Sequence, residues 1–514
     1  SIQGNKTDGN YGNDGASGLK AIAIGANALA SGPQSVAMGN GAQATGQGDV
    51  SLGVGSGRSQ SGSFNVNVGF DSGAESQNMA NNNLLGYRSA YQANAVSDSS
   101  LLGSWSGANA NGIASSSLIG KWSGQNAQQV ADSVLMGTSS GVNASNVTYS
   151  NVLGRNSADS ANAVSNSTII GTYSAQNANT VTNSSFIGSY SGRDSSNVAD
   201  SSVLGAFSGD KVSNVNRSSL LGYHSGVSAS NITDSSLLGS ESGQEAKNTD
   251  HSSLIGSWSG QYSDDVYGSS LIGRSSGQYA QAVSDSSLIG TNSGSRSKDV
   301  VFSSLMGFGS GQQANGVNSS VLMGTYAGQS AQQVQSSTLI GRLSGLEARN
   351  VQSSNYMGEA SGAWSAGSYN NFVGTGSGIG VQGDSNVALG SSANGLLIYD
   401  SVARQYRDRA GNVVSTSGPL AVNNAVALGA LSLTTVDDGV ALGSGAIAST
   451  AAGQAGYLAA GKTDATWQAT LAAVSVGGDD PYDGKNVVNT RQITNVAAGT
   501  TLTDAVNVAQ LQAA

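Results

Sequence analysis

The sequence predicts an all-β protein whose chain winds into a parallel β-solenoid, and three observations predict it. A glycine recurs every 17 residues through the middle of the 514-residue chain. Each of these glycines follows two apolar residues, and the other positions of the repeat keep their own residue types. A short fixed period with such columns is the signature of a solenoid, in which each repeat forms one coil. The glycines of this array are residues 86, 103, 120, 137, 154, 171, 188, 205, 222, 239, 256, 273, 290, 307, 324, 341 and 358.

The columns predict what each position does, counting positions from the glycine of the coil. Position +3 is Ser in sixteen of the seventeen coils, with Ala327 as the exception, and position +13 is also Ser in sixteen. Position +10 is Val or Ile in fifteen. Each column therefore predicts a ladder of like side chains in strands about 4.8 Å apart. We expect glycines and small residues at the coil corners, with the serines hydrogen bonding to backbone groups.

The two apolar residues before each glycine predict that the chain assembles with other copies. Successive side chains on a strand point to opposite faces, so in Leu254-Ile255 one enters the coil and the other points away from it. The outward residue recurs in every coil and forms an apolar ridge larger than a soluble monomer normally exposes. Because every copy carries the same ridge, we expect a closed homo-oligomer.

Shorter, 14-residue repeats flank the array, as in Ser35-Val-Ala-Met-Gly39 and Ala425-Val-Ala-Leu-Gly429. There Val and Ala are the third and second residues before glycine, whereas most 17-residue coils have Ser and Leu. The larger side chain therefore lies on opposite strand faces in the two repeat types. The sequence leaves open which face meets a partner.

Two further segments have their own patterns. Leu396-Leu-Ile-Tyr and Asn412-Val-Val flank a polar stretch, which predicts a strand–turn–strand excursion within 391–424. Near the end, Thr503 or Asp504 can N-cap a helix that begins near Ala505.

Several of these segments resemble a known family. Ser35-Val-Ala-Met-Gly39 and Asn386-Val-Ala-Leu-Gly390 resemble the YadA-like head repeats of trimeric autotransporter adhesins of Gram-negative bacteria. Arg491-Gln-Ile-Thr-Asn-Val-Ala-Ala-Gly499 with Asp504-Ala-Val-Asn-Val-Ala-Gln-Leu511 resembles the neck that joins such a head to its coiled-coil stalk, and 444–473 resembles the insert before that neck.

The resemblance implies a left-handed parallel β-roll in an intertwined homotrimer. It also implies display on the extracellular side of the outer membrane, anchored through a region beyond residue 514, and adhesion to host extracellular matrix, cells, other bacteria or abiotic surfaces. The predicted organisation is an irregular N-terminal segment, short head repeats, 17-residue head repeats, an insertion, short repeats, a head insert, a neck and the start of the stalk, at 1–20, 21–82, 83–390, 391–424, 425–443, 444–473, 474–503 and 504–514 respectively.

Composition excludes several classes of function. Only 10% of residues are charged, the net charge is −10, and Lys and Arg form no run, which argues against nucleic acid or heparin-like polyanions as partners. The absence of cysteine excludes disulfides and thiol chemistry. No signal peptide and no apolar run of eighteen residues occurs, so we expect any export signal or anchor to lie outside this sequence.

The first candidate binding site is position +2. A column that also accepts Glu241 is not core, so its aromatic residues predict an exposed stripe of binding anchors. The alternative is that the rings cover the seam between neighbouring chains. These residues are Trp105, Trp122, Tyr173, Tyr190, Phe207, Trp258 and Tyr326.

The second candidate is the insertion 391–424, because solenoid insertions often serve binding. Arg404, Arg407 and Arg409 give it local basic character; the alternative is a strut that locks neighbouring chains. Gly478-Asp-Asp-Pro-Tyr-Asp-Gly484 lacks the spacing of a calcium loop, and we expect a turn there and no bound metal.

Catalysis has little support in the sequence, so we expect neither enzyme activity nor a cofactor. His224 and His251 are the only histidines, and carboxylates do not cluster in adjacent coils as a polysaccharide-cleaving β-helix enzyme requires. Two non-enzymatic functions besides adhesion are compatible with a solenoid. One is a spacer that lifts another binding domain off the cell, and the other is ice binding, which Ser in place of flat Thr rows disfavours.

Overall fold

The computed structural model describes residues 14–415, 418–485 and 487–514, so most of the predicted irregular start lies outside the described residues. The chain divides into two compact units, Ser1–Asp264 and Asp265–Ala514. In each unit, every regular coil contributes a strand that ends just before its glycine and, in the longer coils, a strand to a second sheet.

In the first unit, the strands before the glycines are Ile22–Ile24, Val36–Met38, Val50–Leu52, Val66–Val68, Asn83–Leu85, Ser100–Leu102, Ser117–Ile119, Val134–Met136, Asn151–Leu153, Thr168–Ile170, Ser185–Ile187, Ser202–Leu204, Ser219–Leu221, Ser236–Leu238 and Ser253–Ile255. The strands of the second sheet are Gly62–Ser63, Gln77–Ala80, Asn94–Ser97, Asn111–Ala114, Gln128–Ala131, Ser145–Thr148, Asn162–Ser165, Asn179–Thr182, Ser196–Ala199, Ser213–Asn216, Ser230–Thr233 and Lys247–Asp250. A small sheet pairs Leu29–Ala30 with Gln43–Ala44.

The strand Asp264–Tyr267 spans the division between the units. In the second unit, the strands before the glycines are Ser270–Ile272, Ser287–Ile289, Ser304–Met306, Val321–Met323, Thr338–Ile340, Asn355–Met357, Asn371–Val373, Val387–Leu389, Val426–Leu428, Val440–Leu442 and Val474–Ser475. The second sheet contains Gln281–Ser284, Lys298–Val301, Asn315–Asn318, Gln332–Gln335, Arg349–Gln352, Ala366–Ser368, Val381–Gln382 and Leu420–Ala421. The remaining elements are Leu397–Asp400, Gln405–Asp408, Val413–Val414, Leu433–Thr434, Ile447–Ala448, Gly478–Asp479, Val488–Asn489 and the helix Val508–Ala513.

The coils stack as parallel strands with a register equal to one repeat. Leu118 pairs with Leu135, 17 residues on, and Ile22 pairs with Val36, 14 residues on. The predicted all-β parallel solenoid, with one coil per repeat, is therefore confirmed.

The two residues before each glycine divide between the inside and the outside of the coil, as predicted. Leu118 is 0% exposed, whereas its neighbour Ile119 is half-buried on the outer face. The outward residues remain well exposed in each unit, as Ile170 at 39% and Met323 at 38% show. Each unit therefore carries an apolar ridge that its own chain does not cover.

The two repeat types differ in the residue that enters the core, whereas the outward residue before the glycine is apolar in both. In a short coil, Ala37 is buried while Val36 and Met38 lie on the outer face. In a long coil, Leu118 takes the buried position. The added bulk therefore enters the coil, and three more residues per turn accompany the wider interior.

The predicted serine ladders are present. The Ser106 hydroxyl, at position +3, donates to the Leu118 carbonyl of the next coil at 2.8 Å. The Ser116 hydroxyl, at position +13, donates to the Ala114 carbonyl at 2.7 Å and accepts from the backbone N–H of Ser133 at 3.2 Å. Serine thus satisfies backbone groups that the strands leave unpaired at the corners.

Position +4 is glycine in most coils because the inward leucine fills the space beside it. Gly124 has φ +62°, and a Cβ there would lie 2.2 Å from Leu118 Cδ2. Alanine does occur in this column, as Ala158 and Ala175, in coils whose inward residues are the β-branched Val152 and Ile169. Ala90 accompanies Leu84, whose partner in the preceding coil is Asn67 rather than a leucine.

The C-terminal segment differs from the prediction. The helix begins at Val508 rather than near Ala505, and its N-cap is Asn507, which forms a capping box with Gln510. The predicted caps, Thr503 and Asp504, were wrong. The Asp504 carboxylate instead accepts hydrogen bonds from the backbone N–H groups of Thr500 and Thr501, at 2.8 and 3.0 Å.

The insertion 391–424 also contains more than the predicted strand–turn–strand. Leu397–Asp400 pairs antiparallel with Gln405–Asp408, which in turn pairs with Val413–Val414. The predicted turn closes the second of these hairpins, where Asn412 binds the Asp408 carboxylate. The additional middle strand was missed because Gln405-Tyr-Arg-Asp408 is mostly polar.

We expect Gly124→Ala to destabilise the first unit by about 2 kcal/mol, because alanine is strained at positive φ and its Cβ meets Leu118. Leu118→Val alone costs about 1 kcal/mol. The double variant should lose less than the sum of the two, by about 1 kcal/mol, since valine leaves room for the new methyl group. Denaturant unfolding of all four proteins measures this coupling, and strict additivity would contradict the packing described for position +4.

We expect Asp504 to titrate with a pKa of about 2, because the N–H groups and hydroxyls of Thr500 and Thr501 stabilise its charged form. Since the folded pKa lies below the usual value, the turn is fully stabilised above about pH 4 and loses this contribution as the pH falls through about 2. Carboxyl ¹³C shifts measured during an acid titration test it. Thr500→Val with Thr501→Val should move the pKa upwards, and an ordinary Asp pKa in the native protein would refute the turn.

Candidate functional site

The aromatic residues at position +2 lie half-buried on one corner of the coils, each with a positive φ. In the first unit, the rings of Tyr173, Tyr190 and Phe207 form a stack, with centroid distances of 5.0 and 4.8 Å and nearly parallel planes. His224 continues it with an edge contact to Phe207 at 5.1 Å. The ring faces therefore contact one another, and the ring edges remain on the surface.

The other aromatic residues of this column lie in separate groups. The guanidinium of Arg88 lies 4.9 Å from the ring centroids of both Tyr91 and Trp105. The Lys121 ammonium lies 3.8 Å from the ring of Trp122. Such cation–π contacts use ring faces that a ligand would otherwise meet.

Two aromatic residues of position +2 remain, one in each unit. Trp258 is half-buried in the first unit. In the second unit, Tyr326 makes an edge contact with Phe308 at 5.2 Å.

The three arginines of the insertion have different surroundings. Arg404 is exposed, and Arg407 is half-buried and donates to the Gly411 carbonyl at 3.2 Å. Arg409 is only 7% exposed. Its guanidinium lies 2.5 Å from Asp480 and donates to the carbonyls of Gly395 and Leu431 at 2.9 and 2.8 Å. Arg409 therefore ties the insertion to the turn 478–484, within one chain.

The insertion packs on the corner of the preceding coils. Tyr399 is 4% exposed and hydrogen bonds with Arg342 and Glu359. Tyr406 packs against Trp364 with ring centroids 4.7 Å apart. Burial raises the pKa of Tyr406, so its hydroxyl stays neutral across the physiological range. These contacts hold the insertion as a fixed wall beside the solenoid.

The structure also brings together Asp234, Asp250 and His251, which the sequence patterns above did not group. The signal was present, because Asp234 and His251 are 17 residues apart and so occupy the same position in adjacent coils. One oxygen or nitrogen of each lies within 4.8 Å of the others. Arg217 binds both oxygens of Asp234, at 2.6 and 2.7 Å, so this carboxylate already has a cationic partner.

Three segments of the chain match known protein families. Residues 16–42 and 423–446 match the YadA head domain repeat, in 2 copies, and residues 492–514 match the coiled stalk of trimeric autotransporter adhesin. The chain carries the head and stalk elements of a trimeric autotransporter adhesin. The resemblance to adhesin head repeats and to the segment that joins head and stalk is thereby confirmed, whereas the predicted insert at 444–473 stays a prediction. The matched segments lie outside the 17-residue array.

No curated protein matches the chain. Within the described residues, no helix has the length and apolar content that crossing a bilayer requires.

We expect Arg409→Gln to destabilise the second unit by about 3 kcal/mol, because it leaves Asp480 without its charge partner in a largely buried place. Arg404→Gln provides the matched control and should change stability by less than about 0.5 kcal/mol, since Arg404 is exposed. Thermal unfolding compares the two variants. Equal effects would show that Arg409 does not serve as the internal tie.

Proposed function

We propose that this chain is the head of a surface-displayed adhesin that acts as a homotrimer on the extracellular side of a bacterial outer membrane. Its targets are host extracellular matrix, host cells, other bacteria or abiotic surfaces. One observation carries the proposal: residues 16–42 and 423–446 match adhesin head repeats, and residues 492–514 match the adhesin stalk. The matched families are structural rather than enzymatic, which favours binding as the function.

Exposed apolar residues support the trimer. The outward residues before the coil glycines form a ridge in each unit, as Met136 at 40% and Leu389 at 42% show. In the C-terminal segment, Leu502 is 89% exposed, Val508 70% and Leu511 71%. The C-terminal helix buries none of its residues against the chain. Isolated helices this short are unstable in water, so partner helices are the natural cover for these side chains.

The aromatic column at position +2 is the proposed contact surface. Its rings are held on rigid coils, so binding them costs little conformational entropy. Three copies on one stalk would raise avidity without any new contact. Arg404 and Arg407 of the insertion are the second proposed contact, although Arg407 already pairs with Asp400 at 3.7 Å. Arg409 is occupied by Asp480.

A spacer function is the second candidate, and one observation favours it. The faces of Tyr173, Tyr190 and Phe207 are used in stacking on one another. Rings that contact each other stabilise the coil even when no ligand is present.

Replacement of Trp105, Trp122 and Trp258 by alanine tests the proposal. The matched control makes the same replacement by alanine at Ser139, Asn156 and Asn292. These residues occupy the same column at similar positive φ. We expect the tryptophan variant to lose adhesion to collagen, fibronectin, laminin or bare plastic by at least tenfold, with trimer melting unchanged.

Three contrary outcomes have distinct meanings. Lowered trimer melting in the tryptophan variant would assign the rings to a seam between chains. Failure of the unmodified head to bind any tested surface would favour the spacer. A monomeric mass in solution with intact β-structure would contradict the homotrimer.

A further inference from the structure

A hollow of about 250 Å³ lies where the insertion meets the second sheet of the second unit. Three successive coils supply its floor and sides, at positions +6 and +8. One coil contributes Glu347 and Arg349, the next contributes Trp364 and Ala366, and the third contributes Gly380 and Gln382; Pro419 of the insertion adds a wall.

The hollow exists because small residues occupy two of these six positions. Ala366 and Gly380 stand where another coil has the longer Gln332 and Ser330. The missing side chains open the surface between Arg349 and Gln382. The insertion, fixed to the coils through Tyr406 and Trp364, keeps the space from collapsing.

Arg349 is the cation of this hollow. Its side chain is exposed, and it forms no ion pair with any carboxylate among the described residues. Arg342 and Arg409 of this unit, in contrast, are paired, with Glu359 at 2.9 Å and with Asp480 at 2.5 Å. An unpaired guanidinium presents a planar set of donors that fits a carboxylate with two hydrogen bonds.

The other polar groups of the hollow are partly engaged in ways that leave acceptors free for a ligand. Glu347 accepts from the Trp364 indole N–H at 3.2 Å through Oε2, and its Oε1 has no hydrogen-bond partner among the described residues. Gln382 donates through Nε2 to the Trp364 carbonyl at 2.9 Å, which leaves its Oε1 as an acceptor. The same two contacts hold Trp364 in place. The hollow therefore offers one cationic donor, one oxygen of the anionic Glu347 carboxylate, one amide oxygen and an aromatic wall.

We propose that this hollow binds a sugar acid, a single monosaccharide unit that carries one carboxylate. The carboxylate pairs with Arg349, hydroxyl groups donate to Glu347 and Gln382, and the C–H face of the ring packs on Trp364. A volume of about 250 Å³ lies just below the usual range of ligand pockets, which runs from roughly 300 Å³ upwards. One sugar unit fits better than an extended chain. The net charge of −10 also disfavours long polyanions, but not a single acidic unit at a local cation.

Titration of the intact head with glucuronate, with glucose as the neutral match, tests the proposal by isothermal calorimetry. We expect saturable binding of glucuronate and binding of glucose that is at least tenfold weaker. Arg349→Gln should weaken glucuronate binding about 10- to 100-fold, the usual effect of losing a hydrogen bond to a charged group. N-acetylneuraminate serves as a second sugar acid, and an acetylated tripeptide with a free carboxylate serves as the peptide comparison.

Two further variants separate the site from general charge and from misfolding. Lys298→Gln removes one positive charge from the same column, three coils earlier, and should leave binding unchanged. Ala366→Gln fills the hollow with a residue that this column already carries as Gln332, so we expect lost binding with an unchanged melting temperature.

Four results would overturn the proposal: no saturable binding of either sugar acid, equal affinity for glucose, equal loss in the Arg349 and Lys298 variants, or tighter binding of the peptide. The proposal does not depend on the aromatic column. Its failure would leave the adhesion experiment with the tryptophan variant unaffected.

Discussion

Contact between the glycines of successive coils is the constraint on which the rest of the fold depends. At Gly103, φ is +136° and a Cβ would lie 2.4 Å from the carbonyl oxygen of Gly120. No side chain fits between coils at that spacing, and other residues rarely adopt this φ. Glycine at every 17th residue thus sets the register between coils. The serine ladders, the inward leucines and the outward ridge all follow from that register.

Coil length and core size change together along the chain. The 14-residue coils have Ala37 inside and the 17-residue coils have Leu118, and a polar coil lies between the two types. There the inward residue is Asn67, which is buried and bonded through its amide to Ser51 and Gln60. The Asn67 side chain fills a space that alanine would leave partly empty. Its amide hydrogen bonds are satisfied inside the coil.

Much of the solenoid could be predicted from sequence because its information is local and repeated. Strand alternation placed Leu118 inside and Ile119 outside without any knowledge of distant contacts. The N-cap was missed for a different reason: Thr503, Asp504 and Asn507 are all good caps, and the choice depends on the turn that Asp504 makes with Thr500.

The candidate sites were harder to predict from the sequence, since they depend on contacts between distant parts of the chain. In the sequence, Arg409 contributes to the local basic character of the insertion, whereas its partner Asp480 is 71 residues away. The hollow beside Arg349 needs both the insertion and the absence of side chains at Ala366 and Gly380. In the aromatic column, residue types and spacing are visible in the sequence, whereas the stacking of Tyr190 on Phe207 depends on ring orientation.

The uniform register between long coils has a consequence for how such a protein evolves. Ser116 bonds to Ser133 as Ser133 bonds to Ser150, so these junctions between long coils are equivalent. Loss or gain of one whole repeat by recombination between similar DNA segments would join equivalent surfaces and leave every ladder intact. A lineage can therefore adjust the reach of its head in increments of about 4.8 Å, without having to discover a new fold.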